Sequence, residues 1–158
     1  LTLRPRDSLR LPHRINIDRD TGMALAMATA GPDGQMLERY EYAEIRYGPR
    51  LAASNEPAAI TPHDRERLVV PGFFLILEEP DGGVFVVSDG LATASVFVEP
   101  LPLGAPGGEG AVIQGATLTY TRGVPGTGGG LLISVLGEVP LVTARLLADA
   151  VRAPKGAE

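Results

Sequence analysis

The chain has 158 residues, 44% of them apolar, with 20 glycines and 14 prolines. That length suffices for one ordinary domain with its own core, and the Gly and Pro content favours short elements joined by tight turns over long helices. A net charge of -5 lacks the basic footprint of a nucleic-acid binder, no run of about 18 apolar residues is present to cross a bilayer as a helix, and the absence of cysteine excludes disulfides and thiolate metal sites.

Taken in order, residues 1–12 (LTLRPRDSLRLP) alternate apolar with polar and carry two prolines, which predicts an extended arm or an edge strand. Arg14 to Asp18 alternates with period two and reads as a short strand, and 18–22 as a turn. Gly22 to Ala30 has helical composition, but its length and flanks favour a strand. A turn at Gly31-Pro32-Asp33-Gly34 follows. Residues 35–47 (QMLERYEYAEIRY) are predicted as a strand with a bulge at Ala43-Glu44, where the alternation breaks. Arg50 to Ala53 reads as a short return strand and 54–62 as loop.

The stretch from Arg67 to Val98 is the most apolar. Runs at 68–77 and 84–87 flank Glu79-Pro80-Asp81-Gly82-Gly83. Proline presets φ, Asp bonds its own backbone and glycine takes positive φ, so the two runs form a hairpin, with a third strand over 96–98. Pro71-Gly72 inside the first run must mark a bulge, an edge or a break. Residues 100–110 read as a long loop, and 116–121 as a half-buried strand. Residues 123–130 read as a connector and 131–136 as a buried strand. A helix is expected over 140–153, with Pro140 in its first turn. Its apolar stripe is Val139, Val142, Leu146, Leu147, Ala150 and Val151, opposite Arg145, Asp149 and Arg152, with Pro154 and Gly156 ending it. The expected fold is one mainly β unit over 1–158: an antiparallel sandwich or partly closed barrel with one C-terminal helix.

Charge is uneven. Arg4, Arg6, Arg10, Arg14 and Arg19 crowd the first twenty residues, whereas 68–121 hold acidic groups and no Lys or Arg. Two solvated faces explain this most simply. Pairing of a basic arm with an acidic middle, within one chain or between chains, is the alternative. The chain opens on Leu1 rather than Met, which leans towards an exported or organellar protein after N-terminal processing, without fixing a compartment.

Groups for catalysis are few. His63-Asp64 could pair as base and orienter, yet neighbours on a strand point to opposite faces. Asn16, Asp18 and Asp20 have the spacing of a calcium loop, but Thr21 and Met27 stand where glycine and a carboxylate are needed. Gly126–Gly130 lacks the Lys and Ser/Thr of a phosphate loop. Neither a cofactor nor a metal site is expected.

From Tyr40 to Val70 the order of features is similar to plant LEA-type β-sandwich domains: a tyrosine-bearing strand, a turn, a short return strand, a proline loop and a β-branched strand. The Asn-Pro-Asn motif of those domains is absent, Gly31-Pro32-Asp33 standing in its place, and no family is assigned on this stretch.

The expectation is therefore a non-catalytic structural or accessory subunit of a protein assembly, homo- or hetero-oligomeric. It would bind protein partners through the extended N-terminal arm and through loops, with Arg4, Arg6, Arg10 and Arg14 as the partner-binding residues. A second reading is a carrier of small apolar ligands lined by Tyr40, Tyr42, Phe73, Phe85, Phe97 and Tyr120. The weakest is a hydrolase using His63.

Overall fold

The computed structural model describes residues 1–46, 48, 70–127 and 129–151. The expectations for Tyr47, for the stretch 49–69 (His63 included), for Gly128 and for 152–158 lie outside these residues.

Two antiparallel sheets form. The first has four strands in sequential order: β1 (Thr2–Leu3), β2 (His13–Ile17), β3 (Ala24–Ala30) and β4 (Met36–Glu41). The expected turns join them. Gly22 and Gly34 take φ of 73° and 83°, and the Gly31 N–H donates to the Gln35 carbonyl at 2.8 Å. β4 stops at Glu41, so the bulge expected at Ala43-Glu44 is not there. The register shift lies instead at Thr29/Ala30, where β3 pairs with β4.

The second sheet has six strands: β5 (Phe74–Glu78), β6 (Val84–Ser88), β7 (Thr93–Leu101), β8 (Gly108–Gln114), β9 (Thr117–Val124) and β10 (Gly130–Gly137). Their order is β5-β6-β7-β10-β9-β8, with β5 and β8 outermost among the described residues and not paired with each other, so the sheet does not close into a barrel. The β5–β6 hairpin turns where expected. Gly82 N–H donates to Glu79 O and Glu79 N–H to Val84 O, both at 2.9 Å. Pro71-Gly72 is a break: Gly72 has φ 77° and the strand starts after Phe73.

Two readings of the loop over 100–110 change. β7 runs through Pro100 to Leu101, and β8 starts at Gly108. Val98 N–H points towards the β6 side, donating to Gly83 O at 2.8 Å. Two residues on, Pro100 faces the same side, where β6 has already ended, so its missing donor breaks no bond. β8 (GEGAVIQ) escaped the sequence reading because it is glycine-rich and exposed at every residue, without an inward apolar row.

Helix α1 spans Leu141–Ala150, with Pro140 as its extended N-cap residue. Its buried face is Thr143, Ala144, Leu147 and Ala148, while Val142 is exposed. The stripe is thus rotated from the expected one. Thr143 sits inside because its hydroxyl donates to the Leu9 carbonyl at 2.7 Å, and the two alanines let the helix lie close. α1 covers one sheet face built from Val87, Ala94, Val96, Leu118, Tyr120, Ile133 and Val135. Val70 and Phe73 complete that core, and Leu9 of the arm packs against it.

Gly137 lies between Ala94 and Leu118 in the cross-strand row. A Cβ there would collide with the Thr93 carbonyl and come within 2.8 Å of the Ala94 Cα. Gly137→Ala should therefore lower unfolding stability by about 1–3 kcal/mol through forced overpacking. Gly110→Ala, with open space around its Cβ position, should change the urea midpoint far less.

Candidate functional site

The two sheets meet through the arm. Asp7 Oδ1 accepts from the Leu9 N–H at 3.0 Å, bending the chain so that Arg10 turns towards the larger sheet. Its guanidinium donates to Asp89 at 2.8 Å, to Asp7 at 2.6 Å and to the Pro71 carbonyl at 3.0 Å. It also lies over the Phe73 ring, 5.0 Å from the centroid. Asp89 is only 9% exposed and also accepts from the Leu91 and Ala92 N–H groups. Gly72 is required beside it, because a Cβ would occupy the space of the Arg10 Nη2. A second tie runs from the Ala116 N–H to Glu38 on β4, at 3.2 Å.

A cleft of about 970 Å³ opens between the arm, the four-stranded sheet and the start of α1. Arg4, Arg10 and Arg14 line it, together with Pro5, Ala28, Ala30, Met36 and Pro140–Val142. Arg4 and Arg14 are exposed and make no ion pair among the described residues. Arg6 is exposed outside the cleft. Of the four arginines expected at a partner surface, Arg10 is committed within the chain. The contact is the arm-to-middle pairing that the charge distribution had left open.

His13 borders the same cleft and is 4% exposed, its Nδ1 3.3 Å from the Thr29 hydroxyl. Burial pushes its imidazole below the ordinary value, against the pull of the Glu138 and Asp89 carboxylates.

The six aromatic residues do not share a cavity. Tyr40 on β4 and Tyr42 just after it are exposed, Phe73 and Tyr120 are buried in the core, and Phe85 packs against it. Phe97 alternates with core residue Val96 and faces the other side of the large sheet. Tyr120 donates to Glu109 at 2.6 Å, Arg145 also reaches Glu109, and Arg122 pairs with Asp149. The Tyr120 hydroxyl and then Arg145 hold the Glu109 carboxyl below its usual range. Burial, then Glu109, pushes the Tyr120 phenol up. These contacts fasten α1 to β8 and β9. No three His, Asp or Glu side chains among the described residues converge as metal ligands.

Sequence reasoning missed Asp89, Thr143 and Glu38. Only Asp89 left a signal, as the middle of the turn-like Ser88-Asp89-Gly90.

Residues 1–60 match the MucB/RseB N-terminal domain, and residues 77–152 the MucB/RseB C-terminal domain. Along its whole length the chain is 32% identical to the sigma factor AlgU regulatory protein MucB of Pseudomonas aeruginosa. The chain is homologous to MucB. It spans 57% of that relative's length. The crystal structure of MucB in complex with MucA(peri) superposes with a TM-score of 0.72 at 31% identity, covering 98% of this chain and 61% of that one. The Pseudomonas aeruginosa MucA/MucB complex also gives 0.72, at 30% identity, covering 99% of this chain and 59% of that one. MucB crystallised alone gives 0.62 at 29% identity, covering 94% and 55%. The regulatory description of MucB agrees with the non-catalytic accessory class expected from the sequence.

Two outcomes follow for the arm. Arg10→Ala leaves a nearly buried Asp89 without its cation and should cost about 3 kcal/mol in urea unfolding. Lysine should restore only part, since it lacks the planar fork. For His13, the folded value lies below the unfolded one of about 6.5, so the unfolded chain takes up the proton first. Stability should fall as pH drops from 7.5 to 5, and His13→Asn should flatten that slope relative to the parent chain.

Proposed function

We propose that this chain is a non-catalytic accessory subunit that binds a partner protein in the cleft between its arm, its small sheet and the start of α1. The two sheets act as one unit, tied by Arg10. The observation that carries the reading is the pair of exposed arginines, Arg4 and Arg14, in a cleft whose remaining lining is largely apolar. Such a surface suits an acidic, partly apolar polypeptide segment, with the charge steering its approach. Support also comes from the full-chain likeness to MucB, a protein crystallised with MucA(peri). Arg6, on the outer side of the arm, extends the positive field towards the same partner. The carrier reading is the less favoured of the two, since the aromatic residues meant to line its cavity are spread over the core and both sheets.

The test is binding of MucA(peri), the probe at hand, by titration calorimetry at two salt concentrations. The parent chain should bind, more weakly at high salt. Arg4→Glu with Arg14→Glu should weaken binding at least tenfold. Arg19→Glu, on an exposed turn outside the cleft, should leave it near the parent value. No binding, or equal binding by the double variant, overturns the proposal.

A further inference from the structure

The large sheet has two faces, and α1 covers only one of them. The strand registers define the other. One row runs across all six strands as Leu77, Val86, Ser95, Leu136, Thr119 and Val112. The next row is Val84, Phe97, Ser134, Thr121 and Gly110. Directly opposed residues share a face, and neighbours along a strand alternate between faces. Both rows therefore point away from the core that Val87, Val96, Tyr120 and Val135 build. Leu77 is 53% exposed, Leu136 42% and Val112 69%. Neither row holds a charged side chain, and among the described residues no second layer of helix or strand packs over them. A sheet face this apolar is ordinarily covered by another layer.

Charge says what belongs there. Between Val70 and Gly137 the single cation is Arg122, which pairs with Asp149 of α1 on the covered side. At one corner of the open face the β5–β6 turn lies beside the end of β7, the Val98 N–H donating to Gly83 O at 2.8 Å. Glu79, Asp81 and Glu99 are exposed at this corner and make no ion pair among the described residues. Glu99 stands on the open face itself, two residues beyond Phe97 and opposite Leu132. We infer that this face is a second docking surface, which takes a cationic amphipathic helix of a partner protein. The apolar stripe of that helix would lie across the two rows, with its Lys or Arg side chains at the acidic corner. Six strands about 4.8 Å apart give a width of about 24 Å, the length of a helix of about 16 residues. The negative corner repels an anionic bilayer or a nucleic acid, so a polypeptide is the fitting partner. This surface is opposite in sign to the cleft at Arg4 and Arg14 and does not depend on it.

The probe is a fluorescent synthetic helix of about 16 Leu and Lys residues, with its leucines on one stripe, titrated with the full chain and followed by anisotropy. The parent chain should bind it, more weakly as salt rises. Leu136→Lys and Thr119→Lys each place a like charge in the middle of the face and should weaken binding about tenfold. Both positions are exposed, so the circular dichroism spectrum and the urea midpoint should stay at the parent values. Glu79→Lys with Glu99→Lys should weaken binding and remove most of its salt dependence. Arg4→Glu with Arg14→Glu should not weaken it, whatever that variant does in the cleft. No binding by the parent chain, parent-like binding by both face variants, or an equally tight complex with a Leu/Glu helix of the same pattern would each overturn the inference. So would flotation of the parent chain with phosphatidylglycerol vesicles that Thr119→Asp abolishes.

Discussion

The crossing of the arm between the two sheets depends on where the Arg10 guanidinium points. One side chain satisfies Asp89 in the turn after β6, Asp7 in its own arm and the carbonyl of Pro71, and covers Phe73. A planar group with several fixed donors is what such a crossing requires, and an ammonium could not span it. Its position in turn orders the arm, and the arm carries Leu9 onto the core and Arg4 to the cleft, where Arg14 of β2 also lies. Placement of Arg4, which has no ion pair among the described residues, therefore follows from placement of Arg10.

The strands that bury a face were legible from periodicity. β2, β3, β5, β6, β9 and β10 appear where alternation or an apolar run placed them, because inward side chains must repeat every second residue. β8 was not legible, since a strand with no buried residue leaves no such repeat. The helix was found but turned incorrectly. Thr143 counts as polar in a sequence, while its hydroxyl has a carbonyl from 134 residues away to bond, so it enters the core at no penalty. The site divided in the same way. A basic arm showed in composition alone, but which arginine would be consumed internally depends on contacts such as Arg10 to Asp89, 79 residues apart, and spacing along the chain carries no trace of those.

Polar groups in this fold act mainly as fasteners at places where apolar packing ends. Glu109, Tyr120 and Arg145 hold the helix to the outer strands of the large sheet, Arg122 and Asp149 repeat the device, and Glu38 ties β4 to the β8–β9 turn. The exposed pairs among these are worth little singly. Their effect is orientation: they set the angle of α1 and with it one wall of the cleft.

The shortness of β1 has a mechanical corollary. A load applied at Leu1 passes first through a ladder two residues long and only then reaches the Arg10 guanidinium and the Leu9 carbonyl bonded by Thr143, links arranged in series. The nine-residue β7, bonded along much of both flanks, shares any tension among many bonds in parallel. Traction on the N-terminus would thus peel the arm away first, while the larger sheet with its helix stayed intact and Glu38 still tied the small sheet to the β8–β9 turn.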